Sequence, residues 1–241
     1  MDGPILALFV LSTFVGGIVS GLAGFAMGLV VSGIWLHILT PAQTAALIVG
    51  YGILVQSYSI WKVRHALNGR TLAPFIGGGI FGVPLGAALL AYIRPDTIRD
   101  GVGLLLIAYS GYFLIRPHVH TVKPSLTGDV AVGFFNGILG GMTGLAGPII
   151  TVWCQLRGFR RDEQRAIFQP VILAAFVLTA ISLTINGTVT MDLVRIYLYG
   201  LPGLGAGLWI GLRLYGHLDE RSFRRIILVL LMLSGLVLVF G

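Results

Sequence analysis

Charge is scarce in this chain, and its scarcity decides the class of protein. Only 10% of the 241 residues are Asp, Glu, Lys or Arg, whereas 56% are apolar, and the mean hydropathy is +0.93. A water-soluble domain carries roughly 25% charged residues, so this composition cannot cover a soluble surface and implies an integral membrane protein. At about 20 residues per membrane-crossing helix, the length leaves no room for an appended soluble domain. Cysteine is nearly absent. Cys154 stands alone, which excludes an intrachain disulfide and a cysteine-based zinc cluster and leaves a small, buried apolar side chain. The first seventeen residues, MDGPILALFVLSTFVGG, contain no Lys or Arg. The basic start of a signal peptide is missing, so the first apolar segment is expected in the mature protein.

Acidic residues are also missing from the interior of the apolar segments, and that removes the enzymatic readings. Every Asp and Glu lies at a segment edge or in a loop, so an intramembrane aspartyl protease would lack its paired carboxylates. His37 is the only histidine within an apolar segment, near a helix end at Thr40-Pro41, which leaves an intramembrane serine protease without a base beside its nucleophile. His118 and His120 could share one strand face, but two ligands do not make a metal site. Neither metal nor cofactor is expected. The sixteen Lys and Arg fall almost wholly between the apolar stretches. That pattern reads as cytoplasmic loops facing anionic lipid, not as a nucleic-acid surface.

What the chain has in abundance is apolar sequence, punctuated by charge. No charged residue lies between Asp2 and Lys62, and further apolar blocks run over 71–93, 101–115, 130–156, 166–185, 193–212 and 226–240. Residues 4–39 are too many for one ordinary span and few for two, and Ser20-Gly21-Leu22-Ala23-Gly24 interrupts them. Residues 130–156 have the same defect, interrupted from Gly140 to Pro148. Both read as helical hairpins that enter the membrane and turn back, or as tight pairs of short full spans. The basic loops carry Lys62, Arg64 and Arg70, then Arg157, Arg160, Arg161 and Arg165, then Arg213, Arg221, Arg224 and Arg225. If each broken block returns to the side it entered, all three loops fall on the cytoplasmic side, as the positive-inside rule requires, and both termini lie outside. A single crossing in either block would split the basic loops between the two sides.

The chain also repeats itself. Ser20-Gly-Leu-Ala-Gly24 recurs as Thr143-Gly-Leu-Ala-Gly147, from 20 to 143, an offset of 123. Gly78, Gly82 and Gly86 with Pro84 recur as Gly203, Gly207 and Gly211 with Pro202, and Ser110-Gly111 as Ser234-Gly235. Glycines spaced by four bare one helix face for close packing. The expected architecture is an all-α polytopic membrane protein, a single membrane domain over 1–241 built of two inverted-topology repeats. Residues 1–116 and 129–241 would each form a broken or re-entrant hairpin followed by three transmembrane helices.

Binding without formal charge is the chemistry this leaves. A charged side chain at the bilayer centre costs about 2.5 to 3.5 kcal/mol on insertion scales, and the apolar blocks hold none at their centres, Arg195 standing at the edge of its block. A broken helix offers instead the unpaired N–H groups and positive dipole end of its second half, which attract a small anion. Ser20 and Thr143 could cap those helix starts or donate to the anion, while Gly21, Gly24, Gly144 and Gly147 allow close approach. Asn136, Gln56 and Gln169 are further polar side chains within the apolar blocks, suited to ligand contact or to interhelical hydrogen bonds. Trp35, Trp61, Trp153 and Trp209 lie toward block ends, as interfacial anchors do, and Trp35 and Trp153 could reach a cavity wall.

The stretch from Gly17 to Phe25, its second copy from Gly140 to Pro148, and the duplicated order of helices resemble the sulfite exporter TauE/SafE family of bacterial and archaeal membrane transporters. The resemblance covers nearly the whole chain, and Ser20, Gly21, Gly24, Thr143, Gly144, Gly147 and Pro148 carry it. It implies transport, most readily export, of a small sulfur-containing anion such as sulfite, sulfate, thiosulfate or an organosulfonate across the cytoplasmic membrane. The expected mechanism is a secondary transporter with alternating access and the anion held at the paired breaks. The expected partners are that anionic substrate and membrane lipid. A passive anion channel and a non-transporting structural subunit are the alternatives.

Overall fold

The computed structural model describes residues 3–24, 26–90, 92–115, 122–123, 125–159, 161–214 and 220–240; His118 and His120 lie outside them. Among these residues there are ten α-helices and no strand. The first half contains α1 (Gly3–Ala23), α2 (Met27–Ile38), α3 (Pro41–Val63), α4 (Gly69–Leu90) and α5 (Pro95–Ile115). The second contains α6 (Leu126–Thr143), α7 (Pro148–Leu156), α8 (Arg161–Ile185), α9 (Met191–Leu214) and α10 (Glu220–Phe240). Six helices, α1, α3, α4, α5, α8 and α9, are long and apolar enough to cross a membrane. The chain is an all-α polytopic membrane protein, as its composition requires.

Both interrupted blocks are broken helices. The turn after α1 is made at Gly24 with φ +84, and the turn after α6 at Gly144 with φ +76. An L side chain in that left-handed region costs roughly 1–2 kcal/mol, so glycine is required at both. The N–H of Gly24 bonds the Ser20 carbonyl at 2.7 Å and that of Gly144 the Gly140 carbonyl at 2.8 Å, which closes each helix. The second arms are short. The 12 residues of α2 extend about 18 Å and the 9 of α7 about 14 Å at 1.5 Å per residue. Neither crosses a hydrocarbon core about 30 Å thick.

Glycine decides which helices meet. The closest pairs are α4 with α6 and α1 with α9. A methyl group on Gly82 would strike the Phe134 carbonyl oxygen, and one on Gly207 the Phe14 carbonyl oxygen, so these helices lie backbone against backbone. Where lipid is as apolar as the side chains, such van der Waals contact is what holds helices together. The next most extensive pairs join α5 to α10 and α3 to α8, followed by α4 with α8. At the start of α3, Thr40 accepts the Gln43 N–H at 3.2 Å while Gln43 Oε1 accepts the Thr40 N–H at 3.1 Å. This capping box, followed by Pro41, fixes where α2 gives way to α3.

An indole clasps each hairpin. Trp35 of α2 donates to Ser12 Oγ of α1 at 2.8 Å, and Trp153 of α7 donates to Asp129 Oδ1 of α6 at 2.7 Å. Trp35 is fully buried and stacks on Phe9 at 4.9 Å, next to Tyr51 and Tyr197. Those tyrosines join α3 to α9 reciprocally: each hydroxyl donates to a carbonyl on the other's helix, Tyr197 at 2.8 Å and Gly50 at 3.3 Å. The clasp at Asp129 is closed by Arg157 at 2.6 Å. Trp61 and Trp209 are exposed, with Arg64 and Arg213 over their rings at 5.1 and 3.8 Å, the arrangement of an interfacial anchor.

Candidate functional site

The two breaks border one small buried cavity. Ser20 of α1, the first turn of α2 from Met27 to Leu29, Gln56 of α3 and the linker from Gly144 to Pro148 line it. Its volume is about 20 Å³, room for a single water. Gly28 lets α2 come this close, since a methyl group there would lie 2.8 Å from Ile48 and 2.9 Å from Leu145. Phe176 of α8 closes the wall, seated on Gly52. Among the described residues, no charged side chain lines the cavity.

The two breaks differ chemically. The first N–H groups of α2 have no carbonyl a turn back to bond, and its N-cap, Ala26, supplies no side-chain bond. The expectation that Ser20 caps a helix start is overturned: Ser20 lies inside α1, three residues before its end. The positive end of the α2 dipole therefore abuts the cavity uncapped. At the second break Pro148 has no N–H to offer. Asn136 stitches this linker, donating from Nδ2 to the Ala146 carbonyl at 2.8 Å and accepting the Ile150 N–H at 3.4 Å. Thr143 does not precede a helix start either. Its hydroxyl donates to the Leu139 carbonyl at 2.7 Å and accepts the Leu145 N–H at 3.2 Å.

Two glutamines remain. Gln56 and Gln169 are each 2% exposed, and the Oε1 of each lacks any hydrogen-bond partner among the described residues. A buried acceptor left unpaired costs about 1–3 kcal/mol, so both positions pay a stability penalty in this state. Gln56 lines the cavity. Gln169 sits at the first break, where a Cβ added to Gly24 would be 3.0 Å from its Nε2.

Of the residues expected at the site, then, Ser20, Gln56, Gly144 and Gly147 are brought together around the cavity. Gly24 and Gln169 meet at the edge of the first break, and Asn136 and Thr143 hold the second. Gly21 instead faces α9, where an added Cβ would lie 2.8 Å from the Leu208 carbonyl oxygen. Trp35 and Trp153 line no part of the cavity. Arg165, placed by its charge in a basic loop, lies within α8, and its Nη2 donates to the Leu22 carbonyl at 3.0 Å. It thereby satisfies an orphan carbonyl at the end of α1. The available signal was its spacing of four from Gln169, which puts both on one face of a helix beginning at Arg161.

A family model for the sulfite exporter TauE/SafE matches residues 8–238. The chain belongs to the sulfite exporter TauE/SafE family. The match includes both helix breaks and every described residue that lines the cavity. It makes this chain a member of a membrane transporter family. No curated protein and no solved structure is significantly similar to the chain.

Proposed function

We propose that this TauE/SafE protein is a secondary transporter that moves a small sulfur-containing anion, such as sulfite, across the cytoplasmic membrane, exporting it by alternating access. One observation carries the reading: two broken helices converge on a buried cavity that has an uncapped helix N-terminus, one unmet polar side chain, Gln56, and no formal charge among the described residues. Backbone amides at such a start bind anions without the insertion cost of a charged residue. With room for one water, the cavity represents an occluded arrangement, and cargo enters when its walls part.

The helix pairing supports the inverted repeat that alternating access uses. The first helix of each half packs on the fourth helix of the other, α1 on α9 and α6 on α4, and the pairs α3 with α8 and α5 with α10 map onto themselves. Exchange of the two halves leaves that pattern unchanged. One half rocking against the other would open the cavity to each side in turn.

Sulfite counterflow in proteoliposomes tests the proposal. Saturable flux that concentrates labelled sulfite against an unlabelled gradient is expected, and linear flux with no concentration would indicate a channel. Gly24→Leu and Gly147→Leu should each abolish the flux while the protein remains in the membrane. Wild-type flux in both variants would remove the breaks from the path.

A further inference from the structure

We propose that the cargo binds as a singly protonated oxyanion, its hydroxyl donating to Gln56 Oε1 while its anionic oxygens accept backbone N–H bonds at the start of α2. The inference rests on the transporter reading above and adds to it the protonation state of the substrate and the residue that recognises it.

The cavity offers two opposite chemistries side by side. The start of α2 supplies donors, which suit anionic oxygen. Gln56 supplies an acceptor that nothing in the protein meets, on a side chain 2% exposed that lines the same cavity. A fully deprotonated oxyanion has only acceptors, so it could take hydrogen bonds from the amides and from Gln56 Nε2 but would leave the Gln56 Oε1 unmet. Hydrogen sulfite, as its hydroxyl tautomer, has acceptors and one donor, and meets both walls at once. Ser20, whose hydroxyl can donate or accept, serves either oxygen.

The consequence concerns proton coupling. Among the described residues, none that lines the cavity is an acid, a base or a histidine. Arg165 of α8 bonds the Leu22 carbonyl, and Asp129 pairs with Arg157 between the arms of the second hairpin. None of the described side chains that line the cavity can therefore carry a proton through the cycle. A cargo that arrives protonated carries its own, bound to its oxygen on entry and on release, so each turnover moves one proton with one anion and no bond is made or broken. Gln169 repeats this unmet acceptor beside Gly24, at the turn of the first break.

The test uses the full chain in proteoliposomes, with competition against labelled sulfite from mildly acid to mildly alkaline pH. Hydrogen sulfite and hydrogen selenite, which carry a donor, are expected to compete. Sulfate and methanesulfonate, which carry none, are expected to fail. The apparent affinity for total sulfite should fall as pH rises and become constant when expressed per hydrogen sulfite. Gln56→Met, which keeps the length and removes an unmet polar group, should remain folded, bind sulfite roughly tenfold more weakly and lose the discrimination against sulfate. Equal competition by sulfate, an affinity that ignores pH, or unchanged binding by Gln56→Met overturns the proposal while leaving transport intact. Absence of flux for every anion would overturn the transporter reading itself.

Discussion

Asn136 is the residue whose loss the structure makes easiest to price. Its amide bonds the Ala146 carbonyl at 2.8 Å and accepts the Ile150 N–H at 3.4 Å, and Asn136, Ala146 and Ile150 are all buried. Asn136→Leu preserves the approximate volume and strands both backbone groups. Each stranded buried group costs about 1–3 kcal/mol, and the longer bond to Ile150 contributes at the low end, so the expected destabilisation is about 2–4 kcal/mol. For a chain of this size that lowers the unfolding midpoint by about 5–15 °C. The assay is thermal unfolding of detergent-purified protein, followed by a thiol-reactive dye. Cys154 is the only cysteine and is fully buried, so dye reacts as the fold opens. Asn186→Leu, at an exposed position of the turn after α8, is the control and should leave the midpoint in place. An unchanged midpoint for Asn136→Leu would mean that the linker 144–147 does not depend on the stitch, and the account of the second break would fail.

Gly82→Leu and Gly207→Leu would each drive a side chain into a neighbouring backbone, whereas a Cβ added at Gly77 or Gly205 meets nothing within 4 Å; immunoblots of membranes should show loss of Gly82→Leu and Gly207→Leu and normal levels of Gly77→Leu and Gly205→Leu. Asp129→Ala leaves Arg157, 11% exposed, without its carboxylate and should cost about 3 kcal/mol in the same unfolding assay, with partial recovery when Arg157→Leu is added. A reporter fused after residue 241 should be active on the periplasmic side, and a cytoplasmic signal would overturn the proposed topology.

The helices were legible because charge and the pair Thr40-Pro41 bound them, and the breaks because two glycine-rich pentapeptides interrupt blocks of awkward length. Where each break turns was not legible. Each pentapeptide holds two glycines, and either can adopt positive φ. In the first copy Gly21 is committed to the approach of α9, so the turn falls to Gly24; in the second copy it falls at Gly144. The turns are therefore offset by 120, from 24 to 144, although the motifs are offset by 123. Arg165 was hidden for a different reason. A basic residue beside an apolar block reads as loop, and only the fold shows its long side chain reaching back to α1. The glutamines could be named from sequence as rare polar groups in apolar blocks, but their lack of partners is a property of packing alone.

The shifted turn also separates the roles of the two halves. The first break lies against the first turns of α8, at Phe168 and Gln169, and the second against the first turns of α3, at Ala45 and Ile48. In those two helices Gln43-Thr44-Ala45 matches Gln164-Arg165-Ala166. Arg165 bonds the end of α1, while the Thr44 hydroxyl is buried and unmet. A perfectly symmetric pair of breaks would present two equivalent donor sets to the cargo, and neither would define an orientation. Here Pro148 and Asn136 occupy the second break's own polar groups, and the start of α2 is left open. On the proposed reading a cargo would be gripped by one half and walled by the other. Rocking of the halves would then change what surrounds the cargo without first having to break a symmetric set of bonds to both.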